Sequence, residues 1–303
     1  MRIVILLICS SMALASCASA PVQKPKPTAT SATSAALAPA SAASTLPAHD
    51  KLDATLWMQS AIEYRALMQG LFHAAQEQLP AALADPGWQA LAQGEAQTDS
   101  GKLPTAVIVD IDETMLDNSP YLARQIMAGS YGFDSQGWAT WVAEKAARAL
   151  PGAKEFAEFA AAHGITMIYI SNRDLKDLAA TSENLASQGF PLVDDSVLLL
   201  GAATPDCIAK GSDKGCRRRL IAQRYRVVML IGDNLGDFID GVGTDVTARE
   251  ALLAPYQAWL GRRWFMLPNP SYGSWESALT KFPIDPSLKT DARAAKRAAL
   301  RLK

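Results

Sequence analysis

Five short apolar runs, several of them rich in β-branched residues, recur along the chain and constrain its fold more than any other feature. They lie at 106–109, 165–169, 197–200, 227–231 and 263–267. Short runs of this kind are typical of buried strands. Segments of helical composition separate them, among them 153–162, 175–187 and 217–225. Strands that alternate with helices predict an α/β fold, in which a parallel sheet is flanked by helices.

The N-terminus has the pattern of a bacterial export signal. Arg2 precedes an apolar stretch at 3–15 that is too short to span a bilayer as a mature helix. The stretch leads into a Leu-Ala-Ser-Cys sequence that ends at Cys17 and matches a lipobox. We therefore expect residues 1–16 to be a lipoprotein signal peptide and Cys17 to carry the lipid. A plain cleavable signal with an incidental cysteine is the alternative.

The segment that follows the signal differs in composition from the rest of the chain. Residues 17–50 are dominated by Ala, Ser, Pro and Thr, and they offer too little apolar surface to offset the entropy of ordering. This composition predicts a disordered tether. Ala18 stands where many lipoproteins of the inner membrane have aspartate, which favours an anchor in the outer membrane of the cell envelope.

The folded domain is expected at 51–303. Between Asp50 and Gln93, apolar residues recur at three- and four-residue steps, which predicts helix; they are Leu52, Leu56, Trp57, Ile62, Leu67, Leu71 and Leu79. We expect a smaller helical region from about 51–100 and 118–150, and an α/β core from about 104–117 and 151–285.

Acidic and hydroxyl side chains follow three of the predicted strands. The first strand ends at Asp110 and Asp112, the second at Ser171, and the fourth at Asp233 and Asp237. Because the carboxyl ends of parallel strands meet at one edge of the sheet, these side chains should lie together. Crowded carboxylates are costly unless a cation neutralises them. The cluster therefore predicts a site for Mg²⁺, with Mn²⁺ or Co²⁺ as other ions that such oxygen ligands accept.

These motifs together resemble those of the haloacid dehalogenase (HAD) superfamily, four-aspartate type. More narrowly, they are similar to the class C acid phosphatases, which are bacterial outer-membrane lipoproteins. The resemblance rests on the residues at 110–121, 171–173, 232–238 and 267–275, with further similarity at 55–60 and 63–67. It covers essentially the whole mature domain. It implies a HAD-like Rossmannoid core with a smaller helical cap-like region.

The resemblance also implies a mechanism. Asp110 would be the nucleophile that forms an aspartyl-phosphate, and Asp112 would be the general acid and base. One Mg²⁺ per chain would be held by Asp110, the backbone carbonyl of Asp112, and Asp233, with Asp237 supporting the site. Ser171 would donate hydrogen bonds to the phosphoryl oxygens.

Further phosphate contacts are expected from the backbone after the second strand and from a lysine. Asn172 is the candidate for the backbone contact. Lys214 fits the lysine of the family best, and Lys210 is its rival. Trp138 and Tyr272 match aromatic positions that sandwich a flat leaving group, although Trp138 could instead be a core residue.

The activity that the resemblance implies is metal-dependent hydrolysis of phosphate monoesters, including nucleoside 5′-monophosphates. Two alternatives stay open: a non-catalytic surface lipoprotein that keeps the fold as a binding module, and a phosphotransferase that uses the same intermediate. The formal net charge of −1 gives no reason to expect nucleic acid as a partner. The basic run Arg217–Arg219 is interpreted as a solvated helix face. Cys207 and Cys216 are spaced for a disulfide, but their spacing leaves the pairing open.

Overall fold

The computed structural model describes residues 48–97, 99–201, 207 and 213–303. The predicted signal peptide at 1–16, Cys17 and the tether up to residue 47 lie outside the described residues, as does Lys210. Within the described part of the chain, no helix combines the length and the apolar character that a membrane crossing requires.

A parallel sheet forms the centre of the fold, and a two-stranded ribbon lies beside it. The strands are β1 (Thr105–Val109), β2 (Leu116–Asp117), β3 (Arg148–Ala149), β4 (Thr166–Ser171), β5 (Leu198–Leu200), β6 (Arg226–Gly232) and β7 (Trp264–Met266). The sheet has the order β5-β4-β1-β6-β7, and all its pairings are parallel. β2 and β3 pair antiparallel. β1 is central: Ala106 pairs with Thr166 on one side and with Val227 on the other.

Helices connect the strands and cover the sheet. They are α1 (Leu52–Ser60), α2 (Ile62–Ala84), α3 (Ser119–Met127), α4 (Ser135–Glu144), α5 (Ala153–Ala162), α6 (Leu178–Ser187), α7 (Gly215–Ala222), α8 (Val246–Leu253), α9 (Ser274–Thr280) and α10 (Ala292–Ala298). All seven residues of β6 are buried, as expected for a strand in a sheet with both faces covered. The predicted α/β class with a flanked parallel sheet is confirmed.

The long helix α2 packs against α5 and against strands β6 and β7. Gly152 makes the close approach of α2 and α5 possible. Its φ of 88° lies in the left-handed region, and a Cβ there would come within 3.1 Å of the Phe72 Cβ and 3.2 Å of the Gln69 Cα. α1 packs instead against α3, in the segment between β1 and α5.

The prediction of helix up to Gln93 is correct as far as Ala84 and wrong beyond it. Pro86 disfavours helical backbone at Asp85, which is extended, and the Asp85 carboxylate accepts a hydrogen bond from the Gly87 N–H at 2.8 Å. The chain then runs beside β6, where the Ala90 N–H donates to the Val227 carbonyl at 2.8 Å. Several residues of the predicted apolar pattern are exposed by 43–63 % of their surface: Leu52, Leu56, Ile62 and Leu67.

The interpretation of the basic run as a solvated helix face is wrong for Arg217 and Arg218, which are fully buried in α7. The Arg218 guanidinium forms a two-bond ion pair with Glu95, with both N–O distances 2.7 Å. It also donates to the backbone carbonyls of Gly236 at 3.1 Å and Asp237 at 3.0 Å. Arg219 is half exposed, as predicted for the run as a whole.

Cys207 and Cys216, whose pairing was open at the level of sequence, form a disulfide with Cα atoms 5.5 Å apart. Cys216 lies in the first turn of α7, two residues after Lys214. The bond therefore ties the start of α7 to the segment before it.

Candidate active site

Three carboxylates converge at the carboxyl edge of the sheet. Asp110 follows β1, Asp233 follows the neighbouring strand β6, and Asp237 ends the short 3₁₀ helix after β6. One oxygen from each lies within 4.8 Å of the others. Gly232 is needed here because a Cβ would collide with the Asp237 carboxylate. The Asn234 N–H fixes that carboxylate with a hydrogen bond of 2.9 Å.

Lys214 lies among these carboxylates. Its buried ammonium forms ion pairs with Asp110 and, at 2.7 Å, with Asp237. It sits at the start of α7, which places a fixed positive charge beside the end of β1. The lysine that the sequence favoured for the phosphate site thus contacts Asp110, the predicted nucleophile.

The electrostatics of the cluster favour an additional cation. Burial raises the pKa of Asp110 to about 7; Lys214 opposes this shift, while the charges of Asp237 and Asp112 add to it. Burial also raises the pKa of Asp233 well above its ordinary value, and the charge of Asp237 raises it further. One ammonium does not balance three carboxylates, so the oxygen donors of Asp110, Asp233 and Asp237 fit a divalent ion such as Mg²⁺.

The Asp112 carboxylate lies outside that set of three. It accepts hydrogen bonds from Arg173 Nη2 at 2.7 Å and Nε at 3.0 Å, and from Asn118 Nδ2 at 2.9 Å. The sequence did not assign a role to Arg173 or Asn118. Both stand inside the motifs that carry the family resemblance, which is the signal that could have found them.

Ser171 and Asn172 follow β4, beside the end of β1. The Ser171 hydroxyl is fully buried; it donates to Asp112 Oδ2 at 3.2 Å and accepts from the Arg173 N–H at 3.1 Å. The Asn172 side chain accepts from Arg217 at 2.7 Å and lines the cavity above the carboxylates. Ser171 thus contacts the predicted acid in this structure, and Asn172 faces the space in which a substrate would bind.

A cavity of about 360 Å³ opens over the site, and Asp110, Asp112, Lys214 and Asp233 line its floor. Trp138 and Tyr272 both line it as well. Trp138 packs edge-on against Tyr121, with ring centroids 5.1 Å apart, and it is only half buried. Trp138 also packs against the hydrophobic core, and its neighbour Trp141 lies within that core, where it donates to Asn118 at 2.8 Å.

Two residues that the sequence did not single out support this arrangement. Glu113 is fully buried with a left-handed φ of 58°, and its carboxylate accepts hydrogen bonds from the Tyr272 hydroxyl and from the Asn118 N–H at 2.9 Å. The left-handed backbone of Glu113 is costly for a residue with a Cβ, and such strain concentrates at functional sites. The second residue, Asn269, donates a hydrogen bond to Asp233 at 2.8 Å.

Comparison with known proteins identifies the family of the chain. The family model of the HAD superfamily, subfamily IIIB (acid phosphatase), matches residues 22–275. The class C acid phosphatase from Bacillus anthracis, solved with tungstate bound, is 33 % identical, with a TM-score of 0.70, and the match covers 83 % of this chain and 96 % of that one. A second structure of that enzyme gives 31 % identity and a TM-score of 0.69 at the same coverage.

More distant similarity extends to plant proteins. The stem 28 kDa glycoprotein of Glycine max is 28 % identical over 170 residues, and a stem 31 kDa glycoprotein of the same plant is 30 % identical over 169 residues. Each match covers 54 % of this chain and 58 % of the relative, so the chain spans somewhat more than half the length of these curated relatives. The family resemblance seen in the sequence motifs is confirmed: the chain belongs to subfamily IIIB of the HAD superfamily, the acid phosphatases.

Proposed function

We propose that the protein is a metal-dependent phosphatase that hydrolyses phosphate monoesters through an aspartyl-phosphate on Asp110. The observation that carries this proposal is the convergence of Asp110, Lys214, Asp233 and Asp237 on the floor of one cavity. That the similar Bacillus anthracis enzyme was solved with tungstate, a tetrahedral oxyanion like phosphate, supports the assignment.

The first step forms the covalent intermediate. A carboxylate oxygen of Asp110 attacks phosphorus, and the bond between phosphorus and the ester oxygen breaks. Asp112 gives its proton to the departing ester oxygen, which leaves as an alcohol. The Lys214 ammonium stabilises the negative charge shared by the nucleophile and the phosphoryl oxygens.

The second step releases phosphate. The Asp112 carboxylate, now ionised, takes a proton from a water molecule whose oxygen attacks phosphorus. The bond between Asp110 and phosphorus breaks, which regenerates the Asp110 carboxylate and the protonated Asp112. After the second step both aspartates have returned to their starting protonation states, so the protein is unchanged by the reaction.

Asp110, Asp233 and Asp237 would hold the metal, for which we propose Mg²⁺. When bound, it supplies positive charge that lets the anionic nucleophile approach an anionic phosphate. Removing it with EDTA is therefore expected to lower phosphate release from p-nitrophenyl phosphate by at least about 100-fold. Added Mg²⁺ should restore the rate, and Mn²⁺ and Co²⁺ serve as comparisons. Full activity of the metal-stripped protein would refute metal dependence, and no activity of the folded, metal-loaded protein would refute the phosphatase proposal.

We propose nucleoside 5′-monophosphates as one group of substrates, because aromatic side chains line the cavity above the nucleophile. Stacking contributes about 1–3 kcal/mol per base, so Trp138→Ala should raise KM for 5′-AMP by roughly 5- to 160-fold. Hydrolysis of glycerol 2-phosphate, which has no ring, is the matched control and should keep its KM. An equal change for both esters would contradict a stacking role.

The location that we propose is the cell envelope, with a lipid on Cys17 as the anchor to the outer membrane. The lipobox that ends at Cys17 supports this. In cells grown with a labelled fatty acid, Cys17→Ser is expected to abolish labelling of the protein and to release it from the membrane fraction. Cys9→Ser, within the apolar stretch of the signal, should keep the label. Persistent labelling of the Cys17 variant would contradict the proposal.

A further inference from the structure

Arg173 is a buried arginine whose contacts lead directly to the predicted proton donor. Its side chain is 1 % exposed, whereas that of Asp112 is 18 % exposed and reaches the cavity. Two nitrogens of the guanidinium bind the Asp112 carboxylate, with Nη2–Oδ1 at 2.7 Å, Nε–Oδ1 at 3.0 Å and Nε–Oδ2 at 3.2 Å. A planar fork of this kind fixes the orientation of a carboxylate as well as its position.

The guanidinium is itself fixed from two other directions. Nη1 donates to the Thr181 hydroxyl in α6 at 3.1 Å. Its central carbon lies 5.5 Å from the centre of the Trp138 ring in α4, which is the range of a cation–π contact. Arg173 thus joins the end of β1, through Asp112, to the aromatic wall of the cavity.

The two oxygens of Asp112 differ in their contacts. Oδ1 accepts three hydrogen bonds of 2.7–3.0 Å, two from Arg173 and one from Asn118. Oδ2 has longer contacts of 3.2 Å, with Ser171 and Arg173. Oδ1 is therefore the more firmly anchored oxygen, and Oδ2, whose contacts are longer, is the less constrained of the two.

We infer that Arg173 is a positioning residue for proton transfer: it anchors Oδ1 of Asp112 so that Oδ2 hands its proton to the ester oxygen of the leaving group. The inference rests on the proposed function, because it requires Asp112 to be the general acid. In the step itself the Oδ2–H bond breaks, the proton bonds to the ester oxygen, and the phosphorus–oxygen bond to the leaving group breaks. Arg173 exchanges no proton in this step and acts through Asp112.

The test compares two esters that differ in their need for a proton. The p-nitrophenolate ion departs without one, whereas the alkoxide of glycerol 2-phosphate requires it. The comparison is made on the first step, as the rate of alcohol release in a single turnover, because Asp112 also acts as the base in the second step, which is common to both esters. Since general acid catalysis contributes roughly 100- to 10,000-fold, Arg173→Met is expected to lower this rate for glycerol 2-phosphate by about 100-fold and for p-nitrophenyl phosphate by less than about tenfold. Arg173→Lys, which keeps the charge but not the planar fork, should give rates between those of Arg173→Met and the parent protein.

Controls separate this role from a structural one. Lys176→Met removes a positive charge from the same segment, where the ammonium pairs with Asp174 at the surface, and should leave both rates unchanged. Thermal unfolding followed by circular dichroism reports whether each variant is folded. Adding Arg173→Met to Asp112→Asn should cause no further loss for glycerol 2-phosphate, because Arg173 acts through Asp112.

Each outcome decides the matter. Equal losses of the first-step rate for the two esters, or a further loss on the Asp112→Asn background, would overturn the positioning role while leaving the proposed phosphatase intact. An Asp112→Asn variant that turns over glycerol 2-phosphate at the parent rate would overturn Asp112 as the acid, and the inference with it. An inactive parent protein would instead refute the proposed function itself.

Discussion

Replacing Asp110 by asparagine is expected to lower kcat for p-nitrophenyl phosphate by at least about four orders of magnitude, the scale seen when a nucleophile is removed from an enzyme. The amide keeps the shape of the side chain but cannot form the aspartyl-phosphate. Phosphate release by the purified variant, measured with saturating Mg²⁺, checks the expectation.

The same substitution should not unfold the protein. Burial and the neighbouring carboxylates raise the pKa of Asp110, so the ionised form is disfavoured there, and a neutral amide relieves repulsion in the metal-free state. The melting temperature in EDTA should therefore be no lower than that of the parent. Asp53→Asn, at an exposed aspartate in the first turn of α1, is the matched control and should keep full activity. An Asp110→Asn variant with near-parental turnover would exclude the covalent route.

The largest expected effect on stability belongs to Arg218. Arg218→Met is expected to lower the free energy of unfolding by about 3–5 kcal/mol, because it leaves Glu95 buried without its partner. The backbone carbonyls of Gly236 and Asp237 also lose a donor. Urea denaturation followed by tryptophan fluorescence measures the change.

Two further variants make this prediction specific. Arg219→Met changes the adjacent, half-exposed arginine and should alter the free energy of unfolding by no more than about 0.5 kcal/mol. Combining Arg218→Met with Glu95→Gln removes the unpaired charge and should recover part of the loss. Equal effects at positions 218 and 219 would mean that the buried ion pair does not contribute to stability in this way.

The fold was predictable because its signals are local. Runs such as 106–109 and 227–231 are apolar over the length of one strand, and each is followed directly by carboxylates. The parallel arrangement then requires Asp110 and Asp233 to meet, since both follow strands that end at the same edge. Trp138 and Tyr272 could be found by comparing motifs with those of a known family, although no hydrophobic periodicity indicates them.

The remaining features depend on partners that are distant in the sequence. Nothing near Arg218 indicates Glu95, and nothing near Asp112 indicates Arg173. When such partners are unknown, a run of three arginines is interpreted as a solvent-exposed helix face. The end of α2 was missed for a local reason, since the helical periodicity outweighed Pro86, whose ring disfavours helical backbone just before it.

The central position of β1 has a consequence for the order of folding. β1 is made before both of its neighbours, β4 and β6, and β6 belongs to the last third of the chain. Closing such long stretches of chain costs entropy before any pairing offsets it, so sheets of this kind fold slowly. Asp110 and Asp233 therefore come together only after β6 has joined the sheet. A partly synthesised chain that lacks β6 has an incomplete site and cannot be active.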